Sequence, residues 1–202
     1  MLSTRFKPDE IKMLELGETC EVFYVPRWLP FKHALSLYDS LSKKINFQQY
    51  KIAIADTLVD QPRLTCWFGE QSYTYSGLTI QPEPWLPELL TIRNKLIQDL
   101  GENFNSALAN YYENGSHYVG WHADDESQIG STIASVSLGE VRDFSIRSAK
   151  ANHTLSLQAG SLLVMAGETQ KYCKHTLHKT AKDVKPRINL TYRQFQNQRL
   201  TT

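Results

Sequence analysis

Residues 105–112 read NSALANYY, and from there almost to its end the chain is one strand-like run after another. The runs are 131–139 (STIASVSLG), 141–148 (VRDFSIRS), 153–158 (HTLSLQ), 160–167 (GSLLVMAG) and 187–195 (RINLTYRQF). Each is short, rich in β-branched or apolar residues, and separated from the next by turn-forming residues. Further back, residues 20–26 (CEVFYVP) also read as a strand, and 51–56, 63–69 and 72–80 are β-rich. Two helices interrupt them. Residues 31–45 place Ala34, Tyr38, Leu41 and Ile45 at helical spacing. Residues 84–100 carry Leu86, Leu89, Leu90, Leu96, Ile97 and Leu100 on an apolar side, with Gly101 as the stop. Short strands after two helices predict an α+β, mainly β fold, a β-sandwich or jelly roll with the helices packed on one face.

The chain has 202 residues, 41% of them hydrophobic, which suits one domain with a core of ordinary size. Its net charge of +1 means that any binding of nucleic acid must rest on a local basic patch. Three cysteines, Cys20, Cys66 and Cys173, are too few and too scattered for a disulfide framework and read as reduced thiols. The first ten residues have no signal-peptide core, and no apolar run approaches the ~20 residues of a membrane span. A soluble cytoplasmic protein is expected, nuclear if the host is eukaryotic, acting as a monomer without a membrane.

The residues that point to chemistry are His122-Ala-Asp124 and, much later, His175. In a strand, residues i and i+2 share a face, so His122 and Asp124 can aim at one point, with His175 arriving from a distant strand. Two imidazoles and a carboxylate hold Fe(II) while leaving three positions open. A surface His-x-Asp also arises by chance. A second cluster, Pro186-Arg-Ile-Asn-Leu-Thr-Tyr-Arg193, sets Arg187, Asn189, Thr191 and Arg193 on one strand face. Two arginines on an inward face need anionic partners, and a dicarboxylate such as 2-oxoglutarate suits their forked geometry. On an exposed face the same alternation would be ordinary. Asn110 and Tyr112 form a third same-face pair able to hydrogen-bond an oxo acid.

Taken in order, N-x-Y at 110–112, W-H-x-D-D-E at 121–126, I-A-S-V-S-L-G, G-S-L-L-V-M, His175 and P-R-x-N-L-T-Y-R resemble the AlkB family of Fe(II)/2-oxoglutarate-dependent dioxygenases. With Tyr73-Thr-Tyr75-Ser-Gly77 and Pro84-Trp85, the resemblance extends over residues 63–195. It implies a double-stranded β-helix core at about residues 105–196, preceded at about 1–104 by an extension, the two helices and a nucleotide-recognition lid. His122, Asp124 and His175 would be the iron ligands. Asn110, Tyr112, Arg187, Thr191 and Arg193 would surround 2-oxoglutarate, with Asn189 nearby. Tyr73 and Tyr75 would flank the target base, Glu126 would touch its edge, and Asp125 would pair with Arg63.

The implied reaction oxidises an N-methyl group on a base such as N1-methyladenine or N3-methylcytosine. The product sheds formaldehyde, and 2-oxoglutarate becomes succinate. The substrate would be alkylated DNA or RNA, its base already unstacked or flipped out. Duplex-repairing relatives carry a bulky wedge where this chain has Ala55, and a longer basic loop where it has residues 148–153. Both departures lean toward single-stranded substrates, although Leu58 could serve as the wedge. Lys171, Lys174, Lys179, Lys182 and Lys185 could line a phosphate path, or could be solvated loop lysines. Two further readings are a dioxygenase of the same fold acting on protein or a small molecule, and a catalytically silent binding module. The paired tyrosines and H-x-D-D-E argue against the first, and the complete ligand set against the second.

Overall fold

The computed structural model describes residues 1–54, 57–75, 78–126 and 128–195, with the backbone alone for Ala53, Ile54 and Tyr75. After a short 3-10 turn at Ser3–Arg5 come β1 (Lys12–Leu14), β2 (Cys20–Val25) and α1 (Phe31–Lys44). The hairpin strands β3 (Lys51–Ile54) and β4 (Thr57–Asp60) follow, then β5 (Leu64–Phe68), β6 (Tyr73–Tyr75), β7 (Leu78–Ile80) and α2 (Pro87–Leu100). The second half contains β8 (Ser106–Tyr112), β9 (Val119–His122), β10 (Ile129–Gly139), β11 (Arg142–Arg147), β12 (Asn152–Leu157) and β13 (Leu162–Gly167). The four-residue helix α3 (Thr169–Tyr172), β14 (Lys174–Leu177) and β15 (Arg187–Phe195) complete it.

Two antiparallel sheets face each other. The larger runs β1-β2-β13-β10-β15-β8-β5 and the smaller β12-β11-β14-β9. This is the jelly roll expected from the sequence. Both helices pack on the outer face of the large sheet: Ala34, Leu37 and Leu41 of α1 and Leu89, Ile92, Leu96 and Leu100 of α2 join Ala134, Val136, Leu138, Ile188, Leu190 and Tyr192 in one core. A second core fills the space between the sheets, with Ile133, Phe144, Ile146, Leu155, Leu163 and Met165. Burying each such aliphatic side chain is worth about 1.5–3 kcal/mol, so the two cores dominate stability.

β15 shows how this arrangement makes the site. Its even-numbered residues Ile188, Leu190 and Tyr192 pack under the helices, which puts Arg187, Asn189, Thr191 and Arg193 between the sheets. The polar face is therefore the interior one, with all four residues at most 9% exposed.

Local chemistry sets the element ends. α2 starts at Pro87 rather than at 84, because the residue before a proline is pushed out of the helical region, and Leu86 has ψ 144°. It stops at Gly101, whose φ of 71° is left-handed and whose N–H bonds Ile97 O at 2.8 Å. The β-rich runs at 51–56 and 72–80 become two hairpins, β3–β4 and β6–β7, instead of single strands. They lie beside the sandwich, where Ile52 and Tyr73 line its cavity.

Candidate active site

β9 and β14 are neighbours in the small sheet, and their register sets His122 opposite His175. The two rings lie 4.2 Å apart between centroids. β9 ends at His122, so Asp124 lies in the following loop and not on the strand. The loop, rather than strand alternation, brings its carboxylate to the histidines. Gln170 Oε1, on α3, accepts the Asp124 N–H at 2.9 Å and ties that loop down. One ligand atom from each of His122, Asp124 and His175 lies within 4.8 Å of the others.

The details fit a divalent metal. His122 Nδ1 lies 2.9 Å from Gly120 O. A carbonyl can only accept, so Nδ1 carries a proton, and Nε2, 3.8 Å from Asp124 Oδ1, is the nitrogen placed to bind a metal. His175 Nε2 stands 3.9 Å from Asp124 Oδ2, too far for a hydrogen bond, and its ring stacks on Phe144. Two imidazole nitrogens and a carboxylate oxygen around one point suit Fe(II).

Burial pushes the His175 imidazole down to about 3, with the His122 charge acting in the same direction. Burial opposes ionisation of Asp124. Its ion pair with Arg193, Nη2 to Oδ1 at 2.8 Å, outweighs that and holds the carboxyl well below the carboxylate range. Both ligands thus stand in their metal-binding protonation states at neutral pH. A stability prediction follows for the metal-free protein. Below about 6.5 the unfolded chain takes up a proton that folded His175 refuses, so its contribution, complete above 6.5, is lost as pH falls toward about 3. Asp124 adds loss below about 3.8. Thermal melts of metal-free protein should show a falling midpoint from pH 6.5 to 4, and His175→Gln should flatten that slope. An equal slope in the variant would mean that the folded imidazole protonates freely.

Beyond the triad a cavity of about 530 Å³ opens between the sheets. Arg187 is 1% exposed there. Its Nη2 donates to Ser137 Oγ at 2.8 Å and its guanidinium lies 5.6 Å from the Tyr112 ring centroid. Burial pushes its pKa down to about 10, so it remains charged at neutral pH. Among the described residues no carboxylate pairs with it. A buried cation without a counter-charge is costly, and an anionic ligand removes that cost. Asn189 Nδ2 donates to Ser135 Oγ at 2.7 Å, and Thr191 Oγ1 to Asn189 Oδ1 at 3.0 Å. Asn110 and Tyr112 face the same cavity.

On the β6–β7 hairpin, Tyr73 is 3% exposed and stacks on Trp67 at 4.7 Å, with Phe195 edge-on. Its hydroxyl donates to Glu126 Oε1 at 2.8 Å, which joins this hairpin to the core at the cavity wall. The side chain of Tyr75 and the whole of Ala55 lie outside the described residues.

One expected ion pair is absent. Arg63 Nε donates to Asn110 Oδ1 at 2.8 Å, and among the described residues Arg63 makes no ion pair with Asp125, which is exposed. Arg63 enters from β5's leading edge beside β8, so Asn110 is the nearer acceptor. Cys173 Sγ meets Cys20 Sγ at 3.8 Å. His178 bonds Ser145 on the outer face of the small sheet and does not compete with His175. Gln170 and Arg142 stand outside every sequence motif, and Ser135 and Ser137 lie within I-A-S-V-S-L-G without a role assigned by it. Arg142 ties the backbone carbonyls of Asn114, His117 and His178 together beneath β9. Each of the four works through long-range hydrogen bonds that no spacing along the chain announces.

The chain matches the family model described as the 2OG-Fe(II) oxygenase superfamily over residues 21–193. It is 37% identical to the Bos taurus alpha-ketoglutarate-dependent dioxygenase alkB homolog 3, over 91% of this chain and 69% of that protein. It is 35% identical to the Arabidopsis thaliana DNA oxidative demethylase ALKBH2, over 90% and 68%. The solved structure of OsALKBH1 shares the fold, with a TM-score of 0.67 at 18% identity, covering 91% of this chain and all of that one.

Proposed function

This chain belongs to the 2OG-Fe(II) oxygenase superfamily and, within it, to the AlkB dioxygenases, and from that membership we propose that it oxidatively removes alkyl groups from N-alkylated bases in nucleic acid. N1-methyladenine and N3-methylcytosine are the model substrates. The observation that carries the reading is the fully buried, carboxylate-free Arg187 in a cavity that also contains the His122–Asp124–His175 cluster. The whole chain acts as one dioxygenase domain, with the lid and helices at about 1–104 and the catalytic core at about 105–196.

In this reading His122, Asp124 and His175 hold Fe(II), and Asn110, Tyr112, Arg187, Asn189, Thr191 and Arg193 line the 2-oxoglutarate site. The bound metal and 2-oxoglutarate together supply the oxidising chemistry, in which oxygen is consumed and the oxo acid leaves as succinate and carbon dioxide. The protein positions and shields. Arg193, paired with Asp124, orients that carboxylate and would meet the oxo-acid end of the cosubstrate, and Arg187 would take the distal carboxylate. With Asn110 Oδ1 engaged by Arg63, the Asn110 amide N–H groups are left to donate to the cosubstrate. Tyr73 and the Glu126 carboxylate it bonds stand together at the cavity wall, where an acid beside an aromatic ring suits a cationic methylated base. Hydroxylation of the N–CH3 carbon gives N–CH2OH, whose C–N bond then breaks to release formaldehyde and the repaired base. Incubation with Fe(II), 2-oxoglutarate and methylated oligonucleotides should release formaldehyde and succinate in equal amounts. Succinate without formaldehyde on every methylated oligonucleotide would remove the nucleic-acid assignment.

Single-stranded DNA or RNA is the favoured form, with the protein acting as a monomer. β11 and β12 are joined by the tight turn 148–151, closed by Ser148 N–H to Ala151 O at 2.9 Å, too short to reach a second strand. Extracting a base from a stable duplex costs a few kcal/mol. One N3-methylcytosine oligonucleotide should therefore react faster alone than annealed to its complement, at fixed salt. Equal rates would require a wedge, with Leu58, 68% exposed on β4, the first place to look.

A further inference from the structure

From the cavity's edge, where Trp121 is one of the lining residues, the outer face of the small sheet carries a second aromatic and basic cluster. His122 faces the cavity, so Trp121, one residue earlier on β9, points to the opposite face. There the Arg147 guanidinium lies 4.0 Å from its ring centroid, and the His178 ring stands edge-on at 6.1 Å. Trp121 is still 36% exposed. Arg147 stands opposite Lys174 in the β11–β14 register, and both are exposed. Nearer the cavity rim, Lys179 Nζ lies 4.3 Å from the ring centroid of Tyr118, which lines the cavity.

These groups make a row of cations and rings that runs from the rim across β9 to β11. Among the described residues no carboxylate pairs with Arg147, Lys174 or Lys179. Asp143, an acid on this face, stands beside His178, whose N–H its backbone carbonyl accepts at 3.3 Å, and its carboxylate accepts from Ser156 Oγ at 2.7 Å. β9 is an edge strand of the small sheet, so this row borders open solvent on one side. In a chain of net charge +1, an unpaired basic row beside an open tryptophan is a local anion-and-ring binding surface.

We propose that this outer face is a docking track for the nucleic-acid strand next to the target base. A neighbouring base stacks on Trp121, and Arg147 and Lys174 neutralise the phosphates on either side, with Lys179 at the rim. Alternating rings and cations match the repeat of base and phosphate better than they match a carboxylate-rich peptide. The inference rests on the proposed nucleic-acid substrate and specifies which surface beyond the cavity holds it.

The test is fluorescence anisotropy with a labelled, unmodified single-stranded oligonucleotide of about 15 nucleotides, within the range of single-strand site sizes. Trp121→Ala and the double variant Arg147→Glu/Lys174→Glu should each weaken binding on the order of tenfold. The double variant should also reduce the slope of log affinity against log salt by about 0.7 for each phosphate that is no longer neutralised. Wild-type affinity in both would overturn the proposal. So would competition by poly-glutamate as effective as that of unlabelled oligonucleotide. Because Trp121 adjoins His122, Mn(II) titrations run alongside: a Trp121→Ala variant that loses metal and oligonucleotide together acts through His122, and the charge reversals then decide. Should wild-type protein bind through this face yet release no formaldehyde from methylated strands, the docking track stands and the proposed reaction fails. Turnover with unchanged binding in the variants is the reverse.

Discussion

His175→Ala is expected to reduce formaldehyde release by more than about a hundredfold, since altering even the partners of a metal ligand costs about 10–100-fold. His122→Ala and Asp124→Ala should match it. The physical reason is the cluster's economy: three protein groups hold the metal, and each is fixed by its own neighbour. His122 is set by Gly120 O, His175 by the Phe144 ring, and Asp124 by Arg193 and by the Gln170 bond to its backbone. Removing one leaves two donors that cannot fix the remaining positions. The control is His178→Ala, which lies three residues from His175 but on the other face, against Ser145. It should keep Mn(II) binding by calorimetry. A His178→Ala variant that is inactive beside an active His175→Ala would displace His175 from the centre.

Arg187→Lys is expected to weaken 2-oxoglutarate binding by roughly ten- to a hundredfold, the equivalent of losing one charge-assisted hydrogen bond of about 1.5–3 kcal/mol. Lysine keeps the charge and loses the planar fork, so the change separates bidentate recognition from simple attraction. Arg187 is enclosed by Tyr112 and Ser137, which leaves a shorter, mobile ammonium little room to regain the geometry. Arg193→Lys should behave differently. Its guanidinium is paired with Asp124, so that change should weaken Mn(II) binding more than Arg187→Lys does. Titrating each variant with Mn(II) and then with 2-oxoglutarate, after checking its thermal midpoint, distinguishes the two. If both lysine variants bind 2-oxoglutarate like the parent protein, neither arginine belongs to its site.

Much of this arrangement is legible in the residues themselves. Strand periodicity puts Arg187, Asn189, Thr191 and Arg193 on one face, and the ordered motifs from Asn110 to Arg193 mark the family. Alternation does not say whether a polar strand face looks outward or inward. That is settled only when α1 and α2 cover Ile188, Leu190 and Tyr192 on the opposite side. The same holds for Trp121, which shares the W-H-x-D-D-E motif with His122 while its ring meets Arg147 on the other face.

Local patterns along the chain are enough for the strand-rich second half, for the two helices with the Gly101 stop, and for the identity of the three candidate ligands. Packing between distant segments is what brings Asp124 to the histidines, from a loop that Gln170 holds, and what turns Arg63 to Asn110 instead of Asp125. Packing also settles which arginine carries a protein carboxylate and which lies buried without one. The reason is the range of the interactions. Backbone periodicity, capping and turn preference act over a few residues and can be read along the chain. A hydrogen bond between residues 46 or 47 positions apart, as for Gln170 with Asp124 or Arg63 with Asn110, depends on how separate strands pack, and no local pattern records it.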